Sequence, residues 1–133
     1  MSRPVCFLDS SAITKLVVQE AESDALADRL ADCDLVGSAL VLTEVSRAVR
    51  RSLGHYRDDL LGQVLDLVHL VAINRSILLS AADLRPPGLR TLDAIHLASA
   101  ISLAPRLDAF IAYDDRLLAA AGQAALTAEK PGP

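Results

Sequence analysis

With 133 residues and a net charge of −4, the chain reads as one domain, 1–133, and not as a general polyanion binder. It is 52 % hydrophobic but only 3 % aromatic, so Leu, Val, Ala and Ile must build the core. No run approaches the ~18 apolar residues of a membrane span, and Asp9 cuts short the first apolar run, so neither a membrane protein nor a signal peptide is expected. Cys6 and Cys33 lack any metal-finger or Cys-x-x-Cys spacing and read as small buried residues of a reducing, cytoplasmic compartment.

In chain order, Val5–Leu8 is a short apolar run expected as a buried strand. Ser10 or Ser11 then opens a helix to about Gln19. Asp24–Ala31 repeats Ala and Leu at helical spacing, and Leu35-Val36-Gly37 is a short strand candidate. From Val41 a stripe of Val41, Val45, Ala48 and Val49 marks a helix that Gly54 ends. Asp58–Leu67 reads as a helix, Val68–Ile73 as a strand and Arg75–Ala82 as a helix. Pro86-Pro87-Gly88 makes a loop. Thr91–Leu103 is a helix capped by Thr91 and stopped by Pro105. Phe110–Tyr113 is a strand followed by a helix over Asp114–Ala121, and the tail 126–133 is expected to be flexible. Alternating strands and helices predict an α/β fold, a parallel sheet with helices on both faces. The first helices, around Ile13, Leu16, Val17, Leu26 and Leu30, carry more aliphatics than one buried face needs. That surplus suggests either a surface for a partner helix or simply a well-filled α/β core.

Four acids stand out against this framework. Asp9 and Asp114 each end an apolar strand-like run, where ligands of parallel sheets bind. Glu44 lies within a helix, and Asp93 in the first turn of another. Each has an ordinary structural explanation. Asp9 and Asp114 suit helix N-caps, Glu44 could pair with Arg47 or Arg51, and Asp93 complements a helix dipole. Were the four to converge, their mutual repulsion would call for a hard cation with oxygen ligands.

The segments Phe7-Leu8-Asp9-Ser10-Ser11-Ala12, Thr43-Glu44-Val45, Leu92-Asp93-Ala94-Ile95-His96-Leu97-Ala98 and Ala112-Tyr113-Asp114-Asp115-Arg116-Leu117 resemble the four signature blocks of PIN-domain ribonucleases, nearest to the VapC-type toxins of bacterial toxin–antitoxin pairs. The resemblance runs from about Val5 to Ala121, with the blocks in the family's order. It implies a three-layer α/β/α fold with a central parallel sheet, and Mg²⁺ or Mn²⁺ held by Asp9, Glu44, Asp93 and Asp114. Glu44 would act in part through water. Asp115 stands where the family often has a basic or polar residue, and is a rival to Asp114. The resemblance also implies hydrolysis of RNA, whether tRNA, rRNA or mRNA, a homodimer, and a cognate antitoxin in a larger complex.

Around the acids, Ser11 and Thr91 are candidates to hydrogen-bond the carboxylates, with capping as the ordinary role of Thr91. His96 reads as a neutral packed histidine in preference to an acid–base group. Arg47, Arg50, Arg51 and Arg57 form the basic concentration that could hold RNA phosphates, or simply a solvated helix face. A dehalogenase-like phosphatase would need an aspartate at position 11, where Ser11 stands. An RNA-binding or antitoxin-titrating module with little turnover, or a housekeeping PIN nuclease, are the other readings.

Overall fold

A computed structural model describes residues 2–54 and 59–133. Five parallel strands form one sheet in the order β3-β2-β1-β4-β5, with β1 Val5–Leu8, β2 Asp34–Ser38, β3 Val68–Val71, β4 Ala109–Ile111 and β5 Ala128–Glu129. The helices are α1 Ser10–Lys15, α2 Ser23–Leu30, α3 Val41–Leu53, α4 Asp59–Leu67, α5 Arg75–Ala82, α6 Thr91–Ile101 and α7 Asp115–Gln123.

Strand alternation sorts the layers. Cys6 and Leu8 of β1 and Ala109 and Ile111 of β4 point to one face, where Ile13, Leu26, Val41, Val45 and Val49 of α1–α3 pack on them. Phe7 and Phe110 point to the other face and stack at 5.5 Å between centroids, against Leu97 of α6 and Leu117 of α7. Both faces are thus covered, and the expected three-layer α/β/α arrangement is what the chain adopts. Cys6 and Cys33 are buried free thiols, as their isolation in the sequence implied. Among the described residues no helix is long and apolar enough to cross a membrane.

Four expectations need correction. Helix α1 stops at Lys15, short of Gln19. A turn follows, fixed by Ser23, whose hydroxyl accepts from Glu20 N at 2.9 Å and donates to Val18 O at 3.3 Å. Thr91 does not cap α6; Arg90 holds the cap position and makes no side-chain capping bond. The tail is docked: Ala128 and Glu129 pair with β4, Arg29 donates to both carboxylate oxygens of Glu129 at 2.7 and 3.1 Å, and Tyr113 donates to Pro131 O at 2.6 Å. The presumed partner surface is interior. Ile13 and Leu26 are fully buried, Val17 and Leu30 nearly so, and Leu16 packs against that core. The large exposed aliphatics lie elsewhere, at Leu42, Leu60, Leu67, Leu78, Leu79 and Leu92 among others. Arg57 and the expected helix start at Asp58 lie outside the described residues.

Gly37 in β2 marks how closely the layers meet. A Cβ there would sit 3.2 Å from the Leu8 carbonyl oxygen and 3.3 Å from Val68 Cγ1. Gly37→Val should therefore destabilise the fold by about 1–3 kcal/mol through overpacking against an immovable sheet backbone. Urea unfolding checks this; a midpoint equal to wild type would contradict the tight approach.

Candidate active site

Strand order sets the location. In the order 3-2-1-4-5 the connections reverse between β1 and β4, and a crevice opens beyond the carboxyl ends of those strands. Asp9 directly follows β1 and Asp114 precedes α7 a short step after β4. Glu44 is in the first turn of α3, after β2, and Asp93 in the first turn of α6. All four line one cleft of about 520 Å³, with Ser10, Ser11, Thr14, Lys15, Glu20, Ala48, Arg51, Ser52, Arg90 and His96. Five carboxylates meet three cations there.

Capping and site-building are not alternatives here. Asp9 Oδ1 caps α1 by accepting from Ala12 N at 3.0 Å and also takes the Ser11 hydroxyl at 2.7 Å. Its other oxygen takes no hydrogen bond from the described residues, although the side chain is buried. Asp114 repeats the pattern: Oδ1 caps α7 from Arg116 N and Leu117 N at 2.9 and 3.1 Å, which leaves Oδ2 for other partners. Ser11 thus hydrogen-bonds a carboxylate of the cleft. Thr91 does not; it is exposed and lines a neighbouring hollow with Glu44, Arg90, Leu92 and Asp93.

Glu44 is held from two sides. Ser10 Oγ donates to its Oε1 at 2.7 Å, and His96 Nε2 lies 2.6 Å from the same oxygen. Burial pushes the Glu44 carboxyl up, but the His96 and Ser10 bonds outweigh this and hold it below its ordinary value. The close contact with a carboxylate assigns the ring proton to Nε2. Nδ1 is then buried without a partner among the described residues. His96 is both buried, the preferred expectation, and in contact with the site through Glu44.

The arginine group divides. Arg51 lines the acid cleft, whereas Arg47 and Arg50 border a separate hollow with Thr43 and Ser46 on the same helix. Arg90, unmarked in the sequence, enters the cleft and donates to Asp93 Oδ2 and Asp114 Oδ2, both at 3.2 Å.

Asp114 and Asp115 are separated by geometry. Asp114 lines the cleft at 38 % side-chain exposure; Asp115 is 82 % exposed and pairs with Lys130 at 2.8 Å. Asp114→Asn should lower the activity housed in this cleft by at least about 10–100-fold, the loss that follows even from removing a group that only supports a ligand. Asp115→Asn should lie within about twofold of wild type, because it removes only an exposed ion pair. Equal losses in a side-by-side assay would contradict the assignment.

The donor chemistry fits a hard divalent cation. Every acid offers oxygen, and Asp9, a largely buried side chain that lines the cleft with the other acids, keeps one oxygen that takes no hydrogen bond from the described residues. Among the described residues no three acids or histidines are gathered closely enough to form a ready-made metal group. Arg90 supplies positive charge between Asp93 and Asp114 instead.

The sequence matches the family described as "PIN domain" over residues 6–123. It is 41 % identical over 132 residues to "Ribonuclease VapC35" of Mycobacterium tuberculosis, covering 95 % of this chain and 96 % of that protein. It is 42 % identical over 127 residues to "Ribonuclease VapC46" of the same organism, covering 86 % and 88 %. Among solved structures it resembles the crystal structure of VapBC2 from Rickettsia felis bound to a DNA fragment from their promoter, with a TM-score of 0.67 at 13 % identity over 96 % of this chain and 98 % of that one. At that identity the likeness is one of fold.

Proposed function

Because this chain belongs to the PIN domain family, we propose that it is an endoribonuclease, the toxin of a toxin–antitoxin pair, hydrolysing RNA phosphodiester bonds with Mg²⁺ or Mn²⁺ at the cleft. The observation that carries this reading is the convergence of Asp9, Glu44, Asp93 and Asp114, from four separate elements, on one crevice at the point where strand order reverses. The ribonuclease names of relatives at 41 and 42 % identity support the substrate class.

Asp9, Asp93 and Asp114 would hold the cation, and Glu44 would hold it directly or through water. When bound, such a cation polarises a phosphoryl oxygen and lowers the pKa of a coordinated water. The chain's own residues do the positioning. Ser11 and the α1 backbone fix the Asp9 carboxylate, and Ser10 and His96 fix Glu44 in its ionised form, ready to accept a proton from the attacking water. Arg51, at the cleft edge, takes a backbone phosphate, with Arg47 and Arg50 extending the basic face along α3.

The partners are RNA, a second copy of the chain and a cognate antitoxin, all in the cytoplasm. The exposed leucines of α4, α5 and α6 provide apolar surface for such protein contacts. Production of the chain in a bacterial host should arrest growth, and Asp93→Asn should not. Co-production of its cognate antitoxin should restore growth. Equal arrest by wild type and Asp93→Asn would separate toxicity from the carboxylate cleft and contradict the proposal.

A further inference from the structure

Arg90 occupies ground that a cation would need. Its Nε meets Asp93 Oδ2 and its Nη2 meets Asp114 Oδ2, so one guanidinium joins acids from α6 and from the start of α7. The oxygen it covers on Asp114 is the one not committed to capping, since Oδ1 takes Arg116 N and Leu117 N. The other cations of the cleft stand differently: Lys15 is engaged by Glu20 and Glu22 at 3.5 and 3.2 Å, and Arg51 makes no ion pair with the four acids.

We propose that Arg90 is an internal counter-ion of this site: it bridges Asp93 and Asp114 in the metal-free protein and must swing away before a divalent cation can use those oxygens. The inference rests on the metal-binding reading of the cleft given above. Like charges a few ångströms apart repel, so guanidinium and metal exclude each other between the same two carboxylates. Release is cheap. The Arg90 side chain is 73 % exposed, both bonds are long, and exposed ion pairs of this kind contribute little. The side chain can therefore relax the repulsion among the acids in the empty cleft without locking it against metal. Arg90 would set the concentration at which the cleft fills.

Mn²⁺ affinity measured by titration calorimetry on the full chain tests this without reference to activity. Arg90→Ala and Arg90→Gln should each bind Mn²⁺ about 3–10-fold more tightly than wild type, the range set by losing one or two exposed ion pairs. Arg116→Ala removes the same charge two positions from Asp114, from a residue outside the cleft, and should change affinity by less than about twofold. Equal affinity of wild type and both Arg90 variants would overturn the role of Arg90 while leaving the metal site standing. An Arg116→Ala gain as large as that of Arg90→Ala would also overturn it, because net charge alone would then explain the effect. Mn²⁺ binding to none of the proteins would refute the metal reading, and the counter-ion role with it.

Discussion

Asp9→Asn is expected to abolish RNA cleavage, by at least about a hundredfold, while making the protein more stable at neutral pH. The loss should exceed the 10–100-fold typical of groups that only support a ligand, because Asp9 is proposed as a ligand itself. Stability should rise because asparagine keeps the useful oxygen and loses the charge. Its Oδ1 can still accept from Ala12 N and from the Ser11 hydroxyl, so the α1 cap survives. Burial pushes the Asp9 carboxyl above its ordinary value, with Asp93 adding to the rise, against the Ser11 and Ala12 bonds and the nearby His96. An acid whose folded pKa is raised costs stability when ionised. That cost is absent below its ordinary value of 3.8 and fully present above the raised folded value. The advantage of Asp9→Asn should therefore be nil in strong acid, grow as pH rises through that window, and persist at neutrality. Thermal melts of the two proteins across pH check the sign; an advantage confined to acid would contradict it.

Saturating Mn²⁺ should raise the melting temperature of the wild type by on the order of 10 °C over EDTA. A ligand at about 100 times its dissociation constant stabilises the native state by ~2.7 kcal/mol, and each kcal/mol moves the midpoint of a domain this size by roughly 4 °C. The effect arises from pairing buried and half-buried carboxylates, so it should collapse in Asp9→Asn and Asp93→Asn. A shift of equal size in those variants would place the bound ion somewhere else.

The fold was legible where the chain states it locally. β1 and α5 occur at the bounds the apolar pattern predicts, and α3 buries the Val41, Val45 and Val49 stripe before Gly54 turns it off at φ 80°. β5 was not legible, because two residues of ordinary polarity become a strand only by lying along β4. The aliphatic surplus of α1 and α2 was misread because composition cannot say that this helical layer faces the sheet. The candidate acids were named through the signature blocks, which favoured Asp114 and kept Asp115 as a rival; the turn into α7 sets the two apart, one in the cleft and one paired with Lys130. Nothing local announces Arg90 to Asp114, a contact across 24 positions. His96 was half seen: its burial followed from its apolar neighbours, but its hold on Glu44, 52 positions away, did not.

The central claim is that this cleft hydrolyses RNA by metal-assisted attack of water. Its most direct test is to incubate the purified chain with end-labelled RNA in Mn²⁺ or in EDTA and to identify the new ends. Cleavage should occur in Mn²⁺ only, not at all with Asp93→Asn, and should leave 5′-phosphate and 3′-hydroxyl ends, since water and not the ribose hydroxyl attacks phosphorus. Cleavage that persists in EDTA, or fragments ending in 2′,3′-cyclic phosphate, would contradict it.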